Sequence, residues 1–281
     1  MPSFALLSVT VQPFLVKLGP LPTLTGFGLA MLLAFLIAQT VCTTELERRG
    51  HQKAADGMAD VTVAAVVGGL LGAKIYYAIL FHETLFSRGG FVFWGGLVGG
   101  ILATYGVIQY KKLGFARISD VAGIGIAAAY AVGRTGCWAV GDDYGRPWDG
   151  VLGVKFPNGA PASTVGNLIQ QFGVKGLDGR PLTEVVAVFP SQLLEITLGL
   201  VMFFILWRFR DHKHREGWLF GLYCILAGGE RVIAEIFRAK DDRFFGPMTL
   251  AQVIAIVFMM GGAAWMMMRR GPAPAGHQAS A

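Results

Sequence analysis

Charge is scarce in this chain. Of its 281 residues, 24 are Lys or Arg and 18 are Asp or Glu, or 15% in all, where a soluble domain carries about 25%. These charges crowd into short runs and leave stretches of about 18–22 nearly uncharged residues, long enough to cross the hydrocarbon core of a bilayer. A soluble globular enzyme and a disordered chain are excluded. Cysteine is scarce as well. Cys42, Cys137 and Cys224 are scattered in or beside apolar segments, with neither the even count of a disulfide framework nor metal-ligand spacing. The five histidines, His51, His82, His212, His214 and His277, form no ligand cluster, and no metal or organic cofactor is expected. His212 and His214 lie in a basic turn and are expected to be solvated. The start Met-Pro-Ser-Phe-Ala lacks the basic region of a signal peptide and reads as mature sequence. No internal repeat is visible, which weighs against a transporter built from two related halves.

What is abundant is apolar: 54% of the residues. Spans are expected at about 21–42, 60–81, 91–109, 120–140, 190–207, 218–236 and 249–268. The fold class is therefore an all-α polytopic membrane protein of about seven transmembrane helices. Residues 1–270 form one integral membrane domain. Within it, residues 3–18, interrupted by Pro13 and Lys17, make an N-terminal interfacial arm, and 142–189 a small head on the outer face. Residues 271–281 form a disordered cytoplasmic tail. The net charge of +6 needs no nucleic acid to explain it, because Lys and Arg collect on cytoplasmic loops. Arg48, Arg49 and Lys53, then Lys111, Lys112 and Arg117, then Arg208–Arg215, then Arg269 and Arg270 mark the cytoplasmic side. That puts the N-terminus and the 142–189 segment outside and the C-terminus inside. The basic loop from Arg238 to Arg243 falls outside against this trend.

Ionisable side chains within spans are costly and face a protein interior or a watery cavity. Lys74, Arg134, Glu195, Glu230, Arg231 and Glu235 are of this kind. Arg231, Glu235 and Arg238 share one face of a helix. Arg134 and Arg231, from different spans at one depth, make a clamp for a phosphate, since a guanidinium fork matches phosphate oxygens. The plainer alternative is that Arg231 and Glu235 only neutralise each other. Lys74 is expected to pair with Glu195 or a similar carboxylate, with a direct ligand role as its alternative. Gly123-x-Gly125-x-x-Ala128 matches a dinucleotide fingerprint but lies inside an apolar span with no strand before it, and is set aside. Gly95/Gly99 and Gly96/Gly100 are spaced for close helix packing.

Several segments together resemble the prolipoprotein diacylglyceryl transferase family. The strongest is Gly133-Arg-Thr-Gly-Cys-Trp-Ala-Val-Gly-Asp-Asp-Tyr-Gly-Arg146. In the same order as the family come Gly72-Ala-Lys-Ile-Tyr-Tyr77, Gly89-Gly-Phe-Val-Phe-Trp-Gly-Gly96, Pro190-Ser-Gln-Leu-Leu-Glu195 and Arg231-Val-Ile-Ala-Glu-Ile-Phe-Arg238. The resemblance runs from about residue 20 to 268. It implies a multi-pass protein of the bacterial inner membrane that moves a diacylglyceryl group from phosphatidylglycerol to the lipobox cysteine of a prolipoprotein signal peptide, releasing glycerol phosphate. It carries the phosphate-holding catalytic role to Arg134 and Arg231, with Glu235 as partner, and Asp142 is added as a candidate catalytic carboxylate. Lipid contacts fall to the same two arginines with Gly145, Trp94, Lys74 and Gln192.

The chain also departs from the family pattern. Trp94 stands where the family has a histidine, Cys137 for asparagine, Asp142 for glutamate, Phe27 for tyrosine, and Phe189 for the histidine before Pro-Ser-Gln. The usual general base is absent, which leaves Asp142 and Glu235 as the carboxylates in the region. Asp142 reads either as that base or as a loop acid at a helix end. Cys137 reads as a small packing residue or a nucleophile, and Trp94 as a packing or interfacial aromatic. Two other functions stay open: a degenerate homologue that binds phospholipid or lipoprotein without catalysis, and a small-solute transporter.

Overall fold

The computed structural model describes residues 9–16, 24–86, 90–239 and 243–272. Of the expected segments, 3–8 and 17–18 of the arm and 273–281 of the tail lie outside the described residues. Nine helices are present among those described: α1 (Gly26–Arg48), α2 (Gln52–Asp56), α3 (Met58–Phe81), α4 (Phe93–Lys111), α5 (Phe115–Val140), α6 (Val165–Gln170), α7 (Ser191–Arg208), α8 (Trp218–Phe237) and α9 (Leu250–Met268). The seven long ones match the seven expected runs, and the chain is an all-α, multi-pass membrane protein. Five stretches, α1, α2–α3, α5, α7 and α9, are long and apolar enough to cross a bilayer by themselves. The remaining two long helices are less apolar: α8 carries Glu230, Arg231 and Glu235, and α4 carries five glycines and two tyrosines.

The helix ends follow local chemistry. Thr25 caps α1 by accepting from the Gly28 amide at 3.1 Å, and Thr249 with Gln252 forms a reciprocal capping box on α9. At α8 the preceding residue is Gly217, which has no side chain to offer. Its place is taken by Asp120 of α5, whose carboxylate accepts from the Gly217 and Phe220 amides at 2.7 and 2.8 Å. Asp120 is fully buried. This explains why α5 starts at Phe115, five residues before the expected boundary: the aspartate is a cap for a neighbouring helix and does not mark the end of a span.

In the bundle, α5 is central and packs against α1, α7 and α8, while α9 covers α8. The α3–α4 pair stands more apart, touching the rest through slimmer α1–α3 and α4–α5 contacts. Its outward face, including Val63, Val67, Leu70, Leu71 and Ile79, is exposed, as lipid-facing surface must be in a bundle with internally satisfied backbone. The two helices meet along a glycine seam. A Cβ on Gly72 would collide with the Gly95 carbonyl, and one on Gly99 with the Gly68 carbonyl. The small-residue spacing thus allows close packing, as expected. Gly125 is likewise a packing position, against Ala38 and Cys42 of α1.

At one end of the bundle, residues 141–190 fold over the helix tips around buried Tyr144, Phe156, Val165, Leu168, Val186 and Val188. The N-terminal arm joins this head: β1 (Val9–Thr10) pairs in parallel with β4 (Val154–Lys155). Between them in the chain, β2 (Leu15–Val16) pairs antiparallel with β3 (Leu24–Thr25). A last short ribbon, β5 (Arg243–Phe245) with β6 (Met248–Thr249), leads into α9. At the opposite end, Glu45 is buried beneath Arg48 and Arg49, with Nε-to-carboxylate distances of 2.8 and 2.7 Å. Of the histidines of the basic turn, His212 is not solvated as expected. The His212 side chain is only 7% exposed, and both it and His214 lie against the Trp218 ring. An indole at the start of α8 offers imidazoles an apolar face to cover.

If the glycine seam sets the α3–α4 crossing, Gly72→Ala and Gly95→Ala should each lower the unfolding midpoint in detergent, by about 1–3 kcal/mol of overpacking. Gly106→Ala, on the same hairpin with nothing within 4 Å of the new methyl, should change little. Equal behaviour of all three would remove the seam as the cause.

Candidate active site

The chain turns sharply where α5 meets the head. Gly141 closes the helix in the left-handed region at φ 70°, and both its amide and that of Asp142 donate to the Cys137 carbonyl at 2.9 and 3.1 Å. Asp143 follows at φ 52°, a conformation in which Asp and Asn are enriched among non-glycine residues. The first turn of α7 pins this Asp-Asp backbone. The Ser191 hydroxyl donates to the Asp143 carbonyl and the Gln192 amide to the Asp142 carbonyl, both at 2.6 Å. Neither Ser191 nor Gln192 is exposed.

Gly145 then passes between Phe189 and the end of α8. Its amide donates to the Phe189 carbonyl at 2.8 Å, and a Cβ there would collide with the Phe237 carbonyl. Arg146 satisfies the last carbonyls of α8, through its amide to Phe237 at 3.0 Å and its guanidinium to Ile236. The signature segment thereby brings the tips of α5, α7 and α8 together.

Six charges meet in the space so formed. Arg134 of α5 pairs with Glu195 of α7 and with Asp143 at 3.0 Å. Arg238, just beyond α8, reaches the other oxygen of Asp143 at 3.0 Å, Glu195 at 4.0 Å and Glu235 at 3.8 Å. Arg231 pairs with Glu235 at 2.7 Å, one helical turn away. Beneath them Tyr130 donates to Glu230 at 2.8 Å, which ties α5 to α8. Arg134 also reaches the Cys137 sulfur at 3.3 Å.

The two adjacent aspartates differ in kind. Burial pushes the Asp142 carboxyl up to about 6, with its hydrogen bond to Cys137 opposing the rise. Asp143 is only partly buried, and Arg238 and Arg134 outweigh the desolvation it does suffer and hold it below the usual carboxylate range. Cys137, Asp142 and Asp143 present their ligand atoms within 4.8 Å of one another. The Arg134 guanidinium already bonds two of the three, so a cation of the protein's own stands where a metal ion would sit.

The expected site residues divide into two groups. Arg134, Arg231, Glu235, Asp142, Gly145 and Gln192 lie at this junction. Gly145 and Gln192 act there on the backbone, one by allowing close passage and the other by fixing the Asp142 carbonyl. Lys74 and Trp94 belong to the α3–α4 hairpin. Lys74 Nζ stands 5.2 and 5.6 Å from the Tyr77 and Phe91 ring centres, and Trp94 is half exposed against Phe93. The expected Lys74–Glu195 pairing is corrected, because Glu195 is held by Arg134 and Arg238 and α7 is a neighbour of α5 and α8. Asp143 was not anticipated. Its signal was present as a second acid in the signature, but the direction of its side chain is set by the left-handed turn.

A buried ion pair that loses one partner leaves an uncompensated charge, at a cost of about 3–5 kcal/mol. Glu195→Gln should therefore lower the unfolding midpoint sharply, and Arg134→Gln likewise. The double variant should be more stable than the sum of the two losses by at least about 1 kcal/mol, the coupling expected of residues in contact. Strict additivity in detergent unfolding would show that the two do not form a pair.

The sequence has counterparts among known proteins. A family profile described as Prolipoprotein diacylglyceryl transferase matches residues 13–268. Three similar proteins each carry the name phosphatidylglycerol--prolipoprotein diacylglyceryl transferase. That of Geobacter sulfurreducens is 28% identical over 89% of this chain and 93% of its own length. That of Treponema denticola is 28% identical over 85% and 82%, and that of Clostridium tetani 25% over 84% and 90%. A match that runs through the membrane helices and the head alike shows that this chain belongs to the prolipoprotein diacylglyceryl transferase family.

Proposed function

We propose that the protein transfers the diacylglyceryl group of phosphatidylglycerol to the lipobox cysteine of prolipoproteins, at the junction of α5, α7 and α8. The observation that carries this reading is the meeting of Arg134, Arg231 and Arg238 at the helix tips of a chain that belongs to this family. In the reaction the cysteine sulfur forms a bond to the glycerol carbon that bears the phosphate. The carbon–oxygen bond to that phosphate breaks, and glycerol phosphate leaves with the electron pair. Guanidinium groups beside the phosphate orient the lipid and stabilise the charge that develops on the leaving oxygen. Arg134 and Arg231 hold the phosphate, with Glu235 orienting Arg231 and Arg238 alongside.

The thiol proton needs an acceptor, since a free cysteine titrates at about 8.5. With Trp94 in the place of the family's histidine, Asp142 takes this role. Glu235 is engaged by two arginines, whereas one buried oxygen of Asp142 has no hydrogen-bond partner and its carboxyl titrates at about 6. A second reading, a lipid-binding homologue without transfer, is favoured by the same missing histidine. We assign the protein to the bacterial inner membrane, as one domain with the head outside, the C-terminus in the cytoplasm, and a cavity open to the outer leaflet.

Mass spectrometry of a co-expressed precursor separates the readings, because only an enzyme adds a diacylglyceryl mass. Arg134→Lys and Arg231→Lys keep charge but lose the planar fork. Each should cut transfer at least about tenfold, roughly 1.4 kcal/mol, without loss of protein from the membrane. Trp94→Phe should stay active. A base must be deprotonated to work, so transfer should rise with pH through about 6 and then level off, and Asp142→Asn should abolish that limb. Full activity in both lysine variants, or a pH limb that survives in Asp142→Asn, would refute these roles. An unmodified precursor would leave the lipid-binding reading.

Orientation has its own check. The native cysteines are buried, so single cysteines introduced in the head should label with an impermeant thiol reagent in intact cells. Those introduced at 208–215 should not. The reverse pattern would invert the topology.

A further inference from the structure

Asp143 is the one carboxylate in the cluster with an open side. Its side chain is 38% exposed, while those of Glu195 and Glu235 are 0% and 2% exposed. One of its oxygens takes Arg134 and the other Arg238, each at 3.0 Å. Two parallel oxygens between two guanidinium forks are what a phosphodiester presents with its pair of non-bridging oxygens. The backbone beneath is fixed by Ser191 and by the turn at φ 52°, so the carboxylate can leave the arginines without the chain moving.

The charge count points the same way. Arg134, Arg231 and Arg238 face Asp143, Glu195 and Glu235 in the paired set, three against three. A phosphodiester that joins this set adds one negative charge too many. Exchanging it for Asp143 restores the balance.

We propose that Asp143 is a placeholder for the substrate's phosphate: it holds Arg134 and Arg238 apart and aligned in the empty site, yields them to the headgroup, and takes them back when the product leaves. This rests on the transferase reading for the identity of the anion. Cleavage gives that reading its consequence. The diester carries one negative charge, but the released monoester carries close to two at neutral pH. Bare arginines would bind the product more tightly than the substrate. A competing carboxylate on the same two forks offsets this and favours release. Asp143 is thus a positioning residue that weakens anion binding to speed turnover. A plain structural strut would do the opposite, because its loss would misalign the arginines and weaken binding.

The test measures glycerol phosphate binding to the full chain in nanodiscs by calorimetry, with no turnover needed. Asp143→Asn should bind it at least about fivefold more tightly than the unaltered protein, the effect of removing one competing, partly exposed carboxylate. Asp143→Glu, which keeps the charge, should stay within about twofold, and Arg238→Gln should bind more weakly. In steady-state transfer, glycerol phosphate should inhibit Asp143→Asn more strongly than the unaltered protein. Equal or weaker binding by Asp143→Asn overturns the proposal. So does failure of that variant to fold, because Arg134 and Arg238 would still face Glu195 and should tolerate the loss. Tighter binding in a protein that transfers nothing to a precursor would support the placeholder and remove the transferase reading.

Discussion

Arg134 carries a full positive charge at the meeting point of three helices, and its neighbourhood is organised around keeping that charge satisfied. Glu195 sits entirely buried on α7 to neutralise it, Asp143 turns back over the end of α5 to reach it, and Arg238 arrives from α8 to share both carboxylates. None of these groups could be buried alone, since an unpaired charge in a low-dielectric interior costs several kcal/mol. Together they draw the tips of α5, α7 and α8 into one place. The head is fastened to the same spot through Ser191, Gln192, Gly145 and Arg146. The guanidinium groups to which the proposed function gives the phosphate are therefore the same ones that hold the helix tips together.

The seven long helices could be read from the sequence because a bilayer imposes length and apolarity on every span. The boundaries moved where a charge did something other than end a helix. Asp120 seemed an edge and proved to be a buried cap, and α1 continues beyond Cys42 because Glu45 is neutralised by Arg48 and Arg49. That Arg134, Arg231 and Glu235 would meet in one charged cluster was visible as cost, because ionisable groups in apolar runs need partners.

The partners themselves were not visible. Lys74 and Glu195 are complementary in charge and both lie in spans, but pairing depends on which helices are neighbours, and α7 lies beside α5 and α8. Asp142 and Asp143 are adjacent and chemically identical. Only the left-handed backbone of the second directs it to the arginines, while the first stays beside Cys137 with one oxygen lacking a hydrogen-bond partner. The histidines of the basic turn show the same limitation: nothing local says that Trp218 will cover them.

The contacts between α5 and α8 have a further consequence. Asp120 meets the amides of Gly217 and Phe220 at one end, Tyr130 meets Glu230 midway, and Asp143 meets Arg238 at the other end. The two helices thus run parallel and are fixed at three heights. A slip of one against the other by a single residue, about 1.5 Å, would break polar contacts at all three levels at once, two of them in apolar surroundings. The pair behaves as a rigid staff with its register locked. Any movement that admits a bulky lipid must then come from the elements around it and not from sliding within it.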